Sequence, residues 1–138
     1  MRKLTDTAID IKIKLAALWA AVMFCYVYGD FFTLFVPGRI ENLMKGDSGA
    51  GDSSPVKLLL FAIMMTIPSL MIFISVAAGA GIGRVLNMIF GVFFSLIMVM
   101  VVYTSLGEWM IFYTYLGLVE ILITCTIFYL ALKWPKAG

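Results

Sequence analysis

The sequence predicts an all-α protein, a four-helix bundle that crosses a membrane as one transmembrane domain over residues 1–138. Three observations predict this fold class. Only 13% of the 138 residues are charged, whereas soluble domains carry about a quarter. The mean hydropathy is +1.06. The apolar residues also fall into four blocks, each close to the ~20 residues that a helix needs to cross a bilayer.

The four predicted spans are residues 15–36, 57–78, 85–106 and 109–132. The segment before the first span is too charged for the hydrophobic region of a signal peptide, so we expect this span to remain in the mature protein. The second connection, "AAGAGIGR", is a glycine turn, and the third, "SLGEW", is shorter still. Such short connections join antiparallel neighbours, which predicts an up-down-up-down bundle.

The distribution of lysine and arginine predicts the orientation. If the spans alternate, seven basic residues lie on the side of both termini and three on the other side. The positive-inside rule then places both termini in the cytoplasm and the loop 37–56 outside. The basic residues stand at helix ends, as topology signals and headgroup contacts do, and no basic stripe with interleaved aromatics occurs. We therefore expect the lipid bilayer, and not a nucleic acid, as a partner.

The first connection is the only long loop, "PGRIENLMKGDSGAGDSSP". Its first half can form a short interfacial helix with Ile40, Leu43 and Met44 on one side. Its second half has the composition of a flexible linker.

Small and polar residues inside the spans predict helix packing. Asn87, Gly91 and Ser95 are spaced by four residues, so this stripe should face another helix. Pro68 removes a backbone donor and predicts a kink in the second span. Cys25 and Cys125 differ in predicted depth by about 9 Å, which is too far for a disulfide, so two free thiols are expected.

Two carboxylates lie inside the predicted spans. Asp30 stands about 9 Å from the outer end of the first span, and Glu120 about 18 Å below the outer end of the fourth. A carboxylate costs roughly 2.5–3.5 kcal/mol at the centre of a membrane helix on insertion scales, and acids found there are functional by default. We expect the deeper Glu120 to be protonated near neutral pH, and Asp30 to be its water-accessible partner.

Helical spacing places further polar and aromatic residues on the faces of the two acids. The resulting candidates for ligand or ion binding are Asp30, Glu120, Tyr26, Tyr113, Trp19 and Thr124. Whether the two acids share one pocket depends on how the first and fourth helices pack. In a purely structural interpretation, the acids are neutral and hydrogen-bonded to tyrosines, and the tyrosines form an interfacial belt.

The absence of histidine from the sequence argues against His-ligated haem and His-metal sites. No pair of a serine nucleophile and a base, phosphate-binding loop or dinucleotide fingerprint occurs either. We therefore predict no catalytic residue, metal site or cofactor, and an enzyme is the weakest of the functional options.

The stretch "IKIKLAALWAAVMFCYVYGDFFTLFVPGRIENLMKG" resembles an uncharacterised family of small bacterial four-helix membrane proteins. The match lies mainly over residues 11–46. The residues that carry it are Lys12, Lys14, Trp19, Tyr26, Gly29, Asp30, Pro37 and Gly38. The resemblance implies an integral protein of the bacterial cytoplasmic membrane, and no established activity.

Two hypotheses for function follow. In the first, an outer-leaflet pocket lined by acids and tyrosines binds or transports a small molecule, a cation or a proton. In the second, the chain is a non-catalytic membrane subunit or scaffold that docks a partner, or forms a homo-oligomer, through its small-residue helix faces.

Overall fold

The computed structural model describes residues 4–136 and consists of helices joined by short connections. Asp47 and Asp52 form one isolated β-bridge, and there is no strand within these residues, so the predicted all-α class is confirmed. Arg2 and Lys3, which the charge count includes, lie outside the described residues. The helices are α1 (Ile11–Thr33), α2 (Arg39–Met44), α3 (Pro55–Ala77), α4 (Ala80–Thr104) and α5 (Ile111–Leu132), with a 3-10 turn at Glu108–Met110 before α5.

Four of the helices are long and apolar enough to cross a membrane. Their most apolar segments have mean hydropathies of 1.6, 2.4, 2.6 and 2.0 in chain order, counting the 3-10 turn with α5. Large apolar side chains along them are exposed, among them Phe73 of α3 and Leu96 of α4. In water such surfaces would be unfavourable, but in a bilayer they face acyl chains that are equally apolar.

The helix starts differ from the predicted spans because polar caps and turns decide them. α1 begins at Ile11, where the Asp10 carboxylate accepts a hydrogen bond from the backbone N–H of Lys12 at 2.7 Å. Ser54 caps α3 in the same way, and Pro55 occupies the first helical position. α4 begins at Ala80, so most of the glycine-rich segment predicted as a turn forms the first turn of this helix.

The helices pack around α1 and α5. α1 contacts both α3 and α5, α5 also contacts α4 along an extensive interface, and α3 contacts α4 only sparsely. The core consists of buried apolar side chains from all four long helices. They are Leu15, Trp19, Val22, Tyr26, Met71, Phe94, Met98 and Ile127.

At one end of the bundle, basic side chains cap the carbonyl ends of neighbouring helices. The Lys12 ammonium, at the start of α1, donates to the backbone oxygen of Ala78 at 2.6 Å, just after α3. Arg84, near the start of α4, donates from Nε to the backbone oxygen of Ala131 at 3.2 Å in α5. Cations are favoured at helix C-termini because they satisfy free carbonyls and complement the helix dipole.

A buried polar cluster ties three helices together, and we call it the Asn87 node. The Asn87 side-chain oxygen accepts a hydrogen bond from the Trp19 indole N–H at 2.7 Å and another from the Ser75 hydroxyl at 3.2 Å. Its amide donates to the backbone oxygen of Gly83 at 2.8 Å. The side chains thus link α1, α3 and α4.

The stripe of Asn87, Gly91 and Ser95 faces other helices, as predicted. Ser95 donates a hydrogen bond to the Thr124 hydroxyl of α5 at 2.7 Å. A β-carbon at Gly91 would lie 3.3 Å from the backbone oxygen of Thr124, so α4 and α5 approach closely there. The two cysteines are free thiols, also as predicted. α3 continues through the buried Pro68, and the prediction of a kink remains a prediction.

The loop after α1 folds more specifically than its composition predicts. The predicted interfacial helix is α2, but the segment predicted to be a flexible linker forms tight turns, with Gly46, Gly49 and Gly51 at positive φ. The Arg39 guanidinium donates to the backbone oxygen of Ser48 at 2.6 Å. The loop therefore wraps around the arginine that starts α2.

Candidate functional site

Two glycines shape the region where α1, α4 and α5 meet. A β-carbon at Gly29 would lie 3.5 Å from Cε2 of Tyr113, so the tyrosine ring lies directly against α1. A β-carbon at Gly117 would collide with the Val102 side chain of α4. Glycine therefore lets α5 approach both helices on the turns next to the buried acid Glu120.

A cavity of about 20 Å³ lies between these helices. This volume suffices for about one water molecule. The lining contains both intramembrane acids and two of the predicted tyrosines, so the structure brings Asp30, Glu120, Tyr26 and Tyr113 to one place. The lining residues are Cys25, Tyr26, Gly29, Asp30, Met98, Tyr113, Leu116 and Glu120.

Glu120 and Tyr26 each bring a buried polar atom without a protein partner to this cavity. Glu120 is 3% exposed and Tyr26 is 8% exposed. Oε2 of Glu120 and the hydroxyl of Tyr26 have no hydrogen-bond partner among residues 4–136. An unsatisfied buried polar group costs about 1–3 kcal/mol, and more if it is charged. Because both residues line the cavity, this arrangement favours a polar occupant within it.

Asp30 is more exposed than Glu120. It is exposed, although it lines the same cavity, because it stands in the last turn of α1. The Tyr113 side chain interacts with its carboxylate, and the positive charge of Arg39 acts on both residues. Asp30 thus connects the cavity to the end of the bundle where the loop and α2 lie.

Trp19 and Thr124, which helical spacing groups with the two acids, do not line the cavity. Trp19 belongs to the Asn87 node, and Thr124 receives the hydrogen bond from Ser95. The Thr124 hydroxyl also donates to the backbone oxygen of Glu120 at 2.9 Å. Both side chains are fully buried and hydrogen-bonded within the protein, one helical turn or more away from the cavity lining.

Four lining residues are absent from the predicted set of site residues, and they differ in how detectable they were. Gly29 directly precedes Asp30 and is among the residues that carry the family resemblance, but it has no side chain that could bind an ion. Leu116 lies one turn from Glu120 on α5, so helical spacing could have included it. Cys25 precedes Tyr26, and helical spacing along α1 does not place it on the face of Asp30, so the sequence gave no reason to choose it. Met98 belongs to α4, and its place at the site depends on a helix pairing that hydropathy does not encode.

A second and larger cavity of about 510 Å³ opens at the same end of the bundle, and its lining is almost entirely apolar. It lies where the end of α1 meets the 3-10 turn and the start of α5. The lining residues of this cavity, which we call the aromatic groove, are Phe32, Phe35, Val36, Trp109 and Phe112.

Within the described part of the chain, no group of three or more His, Cys, Asp or Glu residues is placed to hold a metal ion.

Four apolar helices around a core that contains a buried acid define a small integral membrane protein of the helical class. The chain belongs to a family of unknown function (DUF6326), whose sequence profile matches residues 3–138. The resemblance to an uncharacterised membrane-protein family is thereby confirmed, and it extends over nearly the whole chain rather than mainly over residues 11–46. No curated protein and no solved structure matches the chain.

Proposed function

We propose that this membrane protein binds a proton or a small cation at Glu120, in a pocket that Tyr26, Asp30 and Tyr113 complete. The observation that carries the proposal is the pair of buried, unpartnered oxygens of Glu120 and Tyr26 on one small cavity. The pair has a free acceptor and a free hydroxyl in a place where water is scarce. Such a pair is suited to an occupant that carries positive charge or shares a hydrogen bond.

Charge balance supports the same proposal. An ionised carboxylate in the hydrocarbon region needs a compensating positive charge, and otherwise the acid takes up a proton. The lining of the Glu120 cavity includes no lysine or arginine within the described residues. Arg39 acts on Asp30 and Tyr113 from the loop side. Glu120 therefore depends on a bound proton or cation for its neutrality.

The size of the cavity favours an ion over an organic molecule. Pockets for organic ligands usually enclose about 300–1,000 Å³. The Glu120 cavity has about 20 Å³. The proposal therefore narrows the first hypothesis from small molecules and ions to ions alone. Uptake of protons or of small cations by proteoliposomes, compared between wild type and Glu120→Gln, distinguishes transport from binding.

We further propose an up-down-up-down topology in the cytoplasmic membrane of a bacterium, with both termini in the cytoplasm. The contacts of Lys12 with Ala78 and of Arg84 with Ala131 support it, because they join the start of one helix to the end of another. The excess of basic residues on that side supports the orientation. A reporter fused after Gly138 should behave as cytoplasmic and one inserted near Gly49 as extracytoplasmic, and the reverse pattern would refute the orientation.

The alternative, a scaffold that docks a partner or a second copy through small residues, has less support. Gly91 contacts the backbone of α5, Gly83 faces the Trp134 ring, and Gly117 faces Val102. These three glycines are thus already packed against other parts of the chain, whereas Gly79 and Gly81 have no neighbouring atom of the described residues within 4 Å of an added β-carbon. A homo-oligomer through another face remains a separate hypothesis, which cross-linking in native membranes tests.

Infrared titration of the carboxyl groups tests the binding proposal. We expect the wild-type protein at pH 7 to show the C=O stretch of a protonated carboxyl, and Glu120→Gln to lose that band. Glu108→Gln is the matched control, because Glu108 is exposed in the 3-10 turn before α5. If Glu120→Gln retains the whole band, Glu120 was ionised and the proposal that it neutralises itself with a proton is wrong. Cation competition then distinguishes a bound metal ion from an empty site.

A further inference from the structure

We infer that the occupant of the Glu120 site is a proton accompanied by one water molecule, that metal ions are not its ligands, and that Asp30 relays the proton from the loop side. This inference rests on the proposed function and makes it specific. Three observations carry it: the volume of the cavity, the number of oxygens around it, and the difference in exposure between the two acids.

The cavity is too small for a metal ion together with its ligands and waters. Hard divalent cations take about six to eight oxygen ligands, or keep several of their waters. Four lining side chains carry oxygen, six atoms in all, namely those of Tyr26, Asp30, Tyr113 and Glu120, so a divalent cation would need every one of these oxygens at once. A cavity of about 20 Å³ leaves no room for an ion together with its remaining waters. A proton needs no such shell, because it forms a covalent bond to one carboxyl oxygen.

One water satisfies the hydrogen bonds of the protonated site. A protonated Glu120 has one O–H donor and a carbonyl acceptor, and the Tyr26 hydroxyl has one donor and acceptor capacity. A water in the cavity would bond to the Glu120 carboxyl and the Tyr26 hydroxyl once these two buried groups turn towards it, and it would then satisfy both of the atoms that lack protein partners. The site therefore holds a neutral acid, a tyrosine and a water, and it buries no net charge.

The difference in exposure defines the route of the proton. Asp30 is exposed and Glu120 is 3% exposed, and both line one cavity. When the protonated Asp30 donates its proton to the cavity water, this water passes one of its own protons to the Glu120 carboxylate. Asp30 is left ionised and takes up the next proton from outside water, so atoms and charge balance.

The opposite side of Glu120 is closed by packing. Phe94 and Trp19 are fully buried with their ring centroids 5.9 Å apart, and the hydrogen-bonded pair of Ser95 and Thr124 lies one turn further along. These four side chains carry no carboxyl or basic group that could continue the relay, and the Cys125 thiol, 3.7 Å from the Ser95 hydroxyl, lies on the exposed face of α5. Protons therefore exchange with Glu120 from the Asp30 end.

The titratable and charged groups around the site come from few elements. α1 provides Cys25, Tyr26 and Asp30, α5 provides Tyr113 beside Glu120 itself, and α2 provides Arg39. Within residues 4–136, α3 and α4 add no titratable side chain to the lining. The protonation of Glu120 is thus coupled mainly to Asp30.

The first test separates protons from metal ions. We expect the pH midpoint of the Glu120 carboxyl band, measured in lipid nanodiscs, to be unchanged when sodium, potassium or magnesium chloride replaces choline chloride at constant ionic strength. A midpoint that falls in one of these salts shows competition by that metal ion; it overturns the inference and leaves the proposed function standing. The absence of any titrating band from Glu120, together with no effect of metal ions, overturns both.

The second test addresses Tyr26 and the water. In Tyr26→Phe, the C=O band of Glu120 should shift to higher frequency, because the carboxyl loses part of its hydrogen bonding. Tyr115→Phe is the matched control, since Tyr115 lies on the exposed face of α5. An unshifted band in Tyr26→Phe would contradict the shared water.

The third test addresses the relay. After transfer to heavy water, the deuterium shift of the Glu120 band should develop more slowly in Asp30→Asn than in wild type, and Asp30→Glu should restore the rate. Glu41→Gln, at an exposed acid of α2, should leave the rate unchanged. Equal rates in wild type and Asp30→Asn would overturn the relay. Circular dichroism checks that Asp30→Asn keeps its helices, because a misfolded protein would also change the Glu120 band. If Asp30→Asn misfolds, Asp30→Ser takes its place.

Discussion

Adding one methyl group at Gly91 should destabilise the protein, whereas adding it at Gly81 on the same helix should not. Both glycines lie in α4, so the change in composition and in helix is the same. A β-carbon at Gly81 would meet no atom within 4 Å. A β-carbon at Gly91 would lie 3.2 Å from the backbone nitrogen of Phe128 and 3.3 Å from the backbone oxygen of Thr124.

The expected magnitude follows from which atoms the methyl group meets. Phe128 N and Thr124 O are backbone atoms of α5 and cannot rotate away, so α5 must move by a few tenths of an ångström along its largest interface. Overpacking of this kind costs typically about 1–3 kcal/mol. Replacing glycine by alanine inside a helix also gains roughly 0.5–1 kcal/mol, and this gain is common to both variants. The two variants should therefore differ by about 2 kcal/mol in the free energy of unfolding.

Reversible unfolding in detergent micelles, followed by helical circular dichroism, measures this difference. Gly81→Ala should be at least as stable as wild type, and Gly91→Ala should be less stable. Equal stability of the two variants would refute the close approach of α4 and α5 at this level. It would also refute the structural interpretation of the Asn87, Gly91 and Ser95 stripe.

Two further predictions concern hydrogen bonds that tie the helices together. Asn87→Ala should destabilise the protein by about 1–3 kcal/mol in the same assay, because it leaves the buried Trp19 indole N–H unpaired. Asn42→Ala, in the exposed α2, is the control and should have little effect. Equal losses of stability in the two variants would show that the Asn87 node does not stabilise the fold. Lys12→Met should lower the free energy of unfolding by about 1 kcal/mol, because it removes the cap on the end of α3. Lys14→Met, at an exposed position on the same helix, should lower it by less. A larger loss of stability in Lys14→Met would contradict the capping role of Lys12.

Hydropathy and the cost of buried charge predicted the membrane class and singled out the two acids. Both signals are local: a span needs only its own length of apolar residues, and an acid within it is visible in the same window. For this reason Asp30 and Glu120 could be selected without knowledge of the packing. The short connection before α5 likewise indicated that α4 and α5 are neighbours.

The remaining features depend on pairing between distant segments, which the sequence does not encode locally. Trp19 shares a helical face with Asp30, but it lies deeper, where its neighbour is Asn87 of α4. Met98 reaches the cavity because its face of α4 meets the region between α1 and α5, and the short connection before α5 predicts that α4 and α5 are neighbours but not which faces meet. The glycine-rich loop has the composition of a linker, yet it forms turns around the Arg39 side chain. Composition measures a segment by itself, and these outcomes are set by partners elsewhere in the chain.

The caps of Lys12 and Arg84 make the two ends of the bundle mechanically unequal. At their end, side-chain contacts fasten the start of α1 to the end of α3 and the start of α4 to the end of α5. At the other end, the aromatic groove separates the end of α1 from the 3-10 turn, and aromatic side chains rather than ionic caps meet across it. The helices are therefore fastened to one another at the end of Lys12 and Arg84, and they lack such contacts at the end of the aromatic groove. Any opening that admits water to Glu120 should begin as a splaying of α1 from α5 at the free end, with little displacement at the joined end.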